Sequence, residues 1–219
     1  LVRSVENKAK VINFSIGSSG SIRADNYEVS RDSINREGKK YSKYIEKLLH
    51  KGCDFIVVQS AGNGNDDGVG VDYWNNGLFA AINSSNCYTR RLFSKVSKQN
   101  IMNRIIIVAN INSSNMLSFS SNCGSGELNI IAAPGTHIYS CIDSADDAYG
   151  YKSGTSMAAP IVTAVCGLTW SVNPLLSGEQ VVQMVMDNTV GTAATCDETY
   201  RMPVTTTGAN GIRVPVRDD

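Results

Sequence analysis

From Thr155 to Trp170 the chain carries no charged residue, and its apolar side chains (Ala158, Ala159, Val162, Ala164, Val165, Leu168) fall on every side of a helical wheel. A helix apolar around its whole circumference cannot rest on a surface; it belongs in the middle of a fold, so other layers must cover it. It ends before Asn173-Pro174. The cover is legible upstream. Val11-Ile-Asn-Phe-Ser-Ile16 reads as a buried strand ending at Gly17. Phe55-Ile-Val-Val58 reads as a second, closed by Ala61-Gly-Asn-Gly64. Arg104 to Val108 gives a third, and Leu128 to Ala133 a fourth, stopped by Pro134-Gly135. Between the first two, Tyr41, Tyr44, Ile45, Leu48 and Leu49 form an apolar helical stripe, with Lys39, Lys40, Lys43 and Lys47 on the solvated positions. Strand, helix and strand in succession make a parallel βαβ unit, and the fold class is α/β. A last helix starts at Ser177, whose hydroxyl and Gln180 form a capping box ahead of Val181, Met184 and Val185.

The 219 residues leave room for one large domain or two small ones, and 42% hydrophobic against 18% charged residues excludes a disordered chain. Equal numbers of basic and acidic residues, net charge 0, argue against a general affinity for nucleic acid or anionic membrane. No wholly apolar run approaches the roughly 18 residues that cross a bilayer, so no membrane span is expected. Leu1 to Lys8 has neither an initiator Met nor the features of a signal peptide and is read as a cut end. Six cysteines (Cys53, Cys87, Cys123, Cys141, Cys166, Cys196) show no zinc spacing; they read as buried free thiols, with disulfides left open. Residues 69 to 103, with Trp74 and a basic stretch (Arg90, Arg91, Lys95, Lys98), read as an elaborated surface loop with a short helix.

The chemistry is concentrated in Ser153-Gly-Thr-Ser-Met-Ala-Ala-Pro160, at a loop-to-helix junction. Thr155 is expected to cap the helix and Ser156 to open it, at the positive end of the helix dipole where free N–H groups can donate to an oxyanion. Gly154 permits close backbone approach. Pro160 has no N–H for the Ser156 carbonyl, so the first turn is distorted beside the hydroxyl.

This octapeptide resembles the nucleophile motif of the subtilase family of serine endopeptidases, and Gly154 to Ala164 fits that motif at every position. Other segments are similar in family order: Val11 to Gly17 to the substrate-binding strand, Val57-Val-Gln-Ser-Ala-Gly-Asn63 to the oxyanion strand, and Ser113 to Ser121 and Ala132 to Gly135 to further landmarks. The resemblance implies a subtilisin-like three-layer α/β/α fold with a mostly parallel sheet, spanning residues 1–219 as the C-terminal portion of one catalytic domain, with insertions at about 18–36 and 69–103. It implies Ser156 as nucleophile and Asn63 as oxyanion donor. Ser15, Ile16 and Gly17 would pair with substrate main chain, and Ser60, Ala61, Gly62 and Thr155 would border the binding site.

A subtilase nucleophile needs a His base and an Asp to orient it, in the order Asp, His, Ser. That order cannot be completed here. The two histidines, His50 and His137, lack the family's His-Gly-Thr context, and no Asp stands in the family's Asp-Ser/Thr-Gly context. Both groups are therefore expected on another segment, the N-terminal part of the same catalytic domain, which is the expected partner besides a protein or peptide substrate. The chain by itself is expected to be inactive. The resemblance implies no cofactor; Asn65, Asp66 and Asp67 could help hold a structural calcium, though turn formation explains them more simply. Gly62 to Gly68 has one residue too many for a dinucleotide loop. Secretion is the family expectation. The alternatives are a non-catalytic subtilase-like peptide-binding module and a sedolisin-like peptidase, which would carry Asp where Asn63 stands.

Overall fold

Runs of β-branched residues that must be buried on both faces settle into a parallel sheet, and four of them do so here. The computed structural model describes residues 1–16, 40–63, 98–118, 121 and 129–189, with the backbone of 206–207 and 213–214. Helix α1 (Val2–Glu6) leads into β1 (Val11–Phe14), helix α2 (40–50) into β2 (Ile56–Ser60), and helix α3 (Lys98–Met102) into β3 (Ile105–Ile111); β4 is Asn129–Pro134. The sheet order is β1-β2-β3-β4, parallel throughout. A hairpin, β5 (Ile138–Cys141) and β6 (Tyr149–Lys152), then precedes α4 (Thr155–Val172) and α5 (Gly178–Asp187). A short antiparallel pair, β7 (Thr206–Thr207) and β8 (Arg213–Val214), follows.

Alternation along the strands divides the core in two. Phe55, Val57, Ile105 and Ile107 pack with Val5, Ile45, Leu48, Ile101 and Met102 on the face covered by α1, α2 and α3. Ile56, Val58, Ile106 and Val108 pack with Ala158, Ala159, Val162, Cys166 and Trp170 of α4 and Val181, Val182 and Val185 of α5. This is the expected three-layer α/β/α arrangement. The Ser177–Gln180 capping box forms as expected.

Four expectations need correction. The first strand stops at Phe14, so Ser15 and Ile16 leave the ladder, and Ile16 is exposed. The third strand runs on to Ile111 because β4 pairs with it as far as Ile111↔Pro134. The cysteines are not uniformly buried: Cys53, Cys141 and Cys166 are free thiols, but Cys141 lies exposed on the hairpin. Helix α4 is only partly enclosed, since it presses one side against the sheet and leaves Ile161, Val165, Leu168 and Val172 exposed along the other.

By length and mean hydropathy α4 would also reach across a bilayer, although the sequence holds no wholly apolar run of that length. Its contacts with all four strands and α5 account for the missing charges on its covered side. Gly17, Leu128, residues 18–36 and 69–97, Asn65, Asp66, Asp67, Cys87, Cys123 and Cys196 lie outside the described residues.

Candidate active site

In an open parallel sheet the strand ends and the loops that follow them form a crevice, and Ser15, Ser60 to Asn63 and Ser156 all lie at the C-terminal ends of the strands. Helix α4 starts there. Its N-cap is Gly154 rather than Thr155, and Gly154 has φ 149°, a conformation that side-chain-bearing residues rarely adopt. A Cβ at Gly154 would also lie 3.2 Å from Asn63 Oδ1, so the absence of a side chain lets the asparagine reach the helix end.

Asn63 supplies the cap that Thr155 was expected to supply. Its Oδ1 accepts from the Thr155 N–H at 2.9 Å and from the Thr155 hydroxyl at 3.2 Å, and Thr155 Oγ1 accepts in turn from the Gly62 N–H at 3.1 Å. Thr155 is fully buried. With the carbonyl end of the Asn63 amide held by two donors, the amide cannot flip without losing both. Its Nδ2 makes no hydrogen bond among the described residues. The Ser156 N–H likewise has no partner among them, although its neighbours Thr155, Met157 and Ala158 donate to Asn63 or to the Gly154 carbonyl. Two uncommitted donors thus lie near a half-buried serine hydroxyl at the start of an 18-residue helix.

Pro160 leaves the Ser156 carbonyl without its helical donor, as its ring dictates. The Ser15 hydroxyl takes that place, donating to Ser156 O at 3.1 Å from 141 residues away. Asn13 Nδ2 donates to Ser15 Oγ at 3.0 Å, and Asn13 Oδ1 accepts from Thr163 at 3.3 Å, so the end of β1 is tied to α4. Asn13 was not expected at the site; an amide inside a β-branched run was its only signal. Gln59, buried in β2, donates from Nε2 to Ile16 O at 3.5 Å and leaves its own Oε1 unpartnered.

The other side of the junction is set by close backbone approach. Gly154 N–H donates to Gly135 O at 2.8 Å, and a Cβ at Gly135 would stand 2.7 Å from Gly154 O and 2.6 Å from Asn110 Oδ1. Gly135, read in the sequence as a strand stop, is therefore a packing requirement of the loop that carries Ser156. Residues 112–118 fold back on β3, with Leu117 bridged to Ile111, and Ser121 Oγ accepts from Asn110 N–H at 2.8 Å while Ser121 pairs with Asn63 in an isolated bridge.

No histidine among the described residues hydrogen-bonds to Ser156. His50 closes α2 and leads to the start of β2, the opposite end of the sheet. His137 donates its N–H to Ser153 Oγ at 2.9 Å and sets its ring edge to Tyr151. The described residues include no group of three or more His, Cys, Asp or Glu placed to hold a metal ion.

A model of the "Subtilase family" matches residues 1–211. An "Extracellular serine protease" of Serratia marcescens is 33% identical over 106 residues, covering 39% of this chain and 10% of that protein. "Subtilisin-like protease 1" of Plasmodium falciparum (isolate 3D7) is 39% identical over 94 residues, covering 41% of this chain and 13% of the other. Among solved structures, a protease from Pseudoalteromonas arctica PAMC 21717 superimposes with a TM-score of 0.51 at 25% identity, covering 84% of this chain and 45% of that one. The chain thus spans about an eighth or less of these two curated relatives and under half of the solved structure.

Proposed function

The chain belongs to the subtilase family of serine proteases, and from that premise we propose that it is the nucleophile-bearing part of a serine endopeptidase catalytic domain. Ser156 Oγ attacks the carbonyl carbon of a peptide bond. The oxygen that becomes negative is held by Asn63 Nδ2 and the Ser156 N–H, donors whose hydrogen bonds strengthen as charge develops. The C–N bond then breaks, the amine leaves with a proton, and the acyl-serine is hydrolysed by water. The base that accepts the Ser156 proton and later delivers it is a His oriented by an Asp, both on another segment of the catalytic domain. The observation that carries this reading is the locked Asn63 amide, whose oxygen is held by Thr155 while its Nδ2 is uncommitted.

Substrate main chain would pair with Ser15, Ile16 and Gly17, and Ser60, Ala61 and Gly62 with Thr155 would leave room for the side chain before the scissile bond. The partner segment has a place to dock. Among the described residues no strand pairs with the outer edge of β1, and the exposed apolar stripe of α4 lies on the same molecule. Secretion is part of the same proposal, since one matched relative is named an extracellular protease.

Treating the native preparation with a fluorophosphonate and recording the intact mass of every polypeptide tests the proposal. An adduct on this chain, lost in Ser156→Ala, together with a second polypeptide or a longer parent carrying the Asp and His, is the expected result. No adduct in the assembled protein would overturn the catalytic reading in favour of a peptide-capturing module. This chain alone should give no turnover above a trace; robust cleavage by it would mean that a base resides within these residues.

A further inference from the structure

We propose that the outer face of the β5–β6 hairpin docks a basic stretch of the polypeptide substrate downstream of the scissile bond, an inference that rests on the endopeptidase reading above. The register sets Tyr139 opposite Tyr151 and Cys141 opposite Tyr149, so all three tyrosines share one face. Tyr139, Tyr149 and Tyr151 are 60%, 58% and 68% exposed. Tyr139 stacks on Tyr149 with centroids 5.8 Å apart and lies 5.0 Å from Tyr151, against which His137 sets its ring edge at 6.4 Å. On the other face Ile142 lies over Gly150, while Ser140 and Lys152 are exposed.

A continuous exposed aromatic surface is uncommon on a protein that does not use it. Its chemistry points to cations, because tyrosine faces attract ammonium and guanidinium groups. The turn between the strands carries Asp143, Asp146 and Asp147, all exposed, against the single ammonium of Lys152, itself 3.5 Å from Asp143. The hairpin is therefore both aromatic and net acidic, complementary to a segment rich in Arg or Lys.

Its position selects the substrate as the source of that segment. The hairpin follows β4, at the sheet edge opposite β1, and β6 continues through Ser153 into Ser156. The base of the hairpin is tied to the loop that carries Ser156, since His137 N–H donates to Ser153 Oγ at 2.9 Å and only Ser153 to Thr155 separate β6 from Ser156, so a chain cleaved at Ser156 passes beside the hairpin.

The test uses the full-length protein carrying Ser156→Ala and a short dye-labelled peptide of alternating Arg and Gly, read by fluorescence anisotropy. Adding Tyr139→Ser, Tyr149→Ser and Tyr151→Ser should raise the Kd about tenfold. Asp146→Asn with Asp147→Asn should raise it about threefold and flatten its salt dependence. In the protein that retains Ser156, the tyrosine substitutions should leave the rate of fluorophosphonate labelling unchanged, which shows that the fold survives. Equal Kd with and without the tyrosines would overturn the proposal, and so would equally tight binding of a Glu-Gly peptide. Self-association that the tyrosine substitutions abolish would also overturn it, assigning the face to a second copy. Absence of labelling in the parent protein would instead overturn the endopeptidase reading, while the Kd comparison still decides whether the hairpin binds cations.

Discussion

Helices α4 and α5 lie on the same face of the sheet, yet their N-termini are treated in opposite ways. The first turn of α5 contains Glu179, and the Asp54 carboxylate accepts from the Gly178 N–H at 3.1 and 3.0 Å while pairing with Arg104, whose other arm lies 3.3 Å from Glu179. That end of the helix dipole is neutralised. The first turn of α4 has no acidic residue, and the groups around it are Asn63, Thr155, Ser15 and Ser156. Positive potential there has no resident counter-charge among the described residues. On the proposed endopeptidase reading, the difference separates a structural helix end from one prepared for negative charge that exists only during a reaction.

The comparison can be broken most decisively at Asn63. In the assembled protease Asn63→Ala should lower kcat by about 10²–10³-fold with little change in KM, a range carried over from subtilisin. Steady-state kinetics decide it, and a rise in KM at constant kcat would mean that Asn63 only binds ground-state substrate. At the other helix, Asp54→Ala uncaps Gly178 and strips Arg104 of a carboxylate, and should cost about 2 kcal/mol in urea unfolding. Fluorophosphonate labelling of the folded fraction should be unaffected; slower labelling would show that the two helix ends are coupled.

A smaller effect would sharpen the contrast by giving α4 the charge it lacks. Met157→Glu should lower kcat about tenfold relative to Met157→Gln, with the gap shrinking as salt is added. Equal rates for the two variants would remove the dipole from the account. The smallest effect lies in the middle of the same helix. Burial pushes the Cys166 thiol up to about 11, so the folded state resists its ionisation. Because the folded pKa exceeds the unfolded one, this contribution is intact below the ordinary thiol range and is lost as pH rises from about 9 toward 11. The urea midpoint should fall over that window, and the fall should be shallower in Cys166→Ala.

Parts of the site were legible because their causes are local. Pro160 removes a donor four residues downstream of Ser156 whatever surrounds it, and the Ser177–Gln180 box needs only its own turn. Thr155 shows where local reasoning fails. Its hydroxyl suits a cap, but the approach of Asn63 makes it a donor to a neighbouring segment instead. Gly135 read as punctuation because nothing nearby in sequence reveals that Gly154 will lie against it. The tyrosine face has no local signature, because Tyr139 and Tyr149 become neighbours only when the hairpin register is set.

The sequence by itself determined the periodicities, the α/β class, the uncharged helix and the nucleophile motif, since each depends on residues within one or two turns or one strand. Tertiary structure decided which side of α4 is covered, which amide caps it, and that Ser15 meets the Ser156 carbonyl across 141 residues. Those outcomes follow from strand order and register, which bring distant segments to one end of the sheet, and no local spacing records that order.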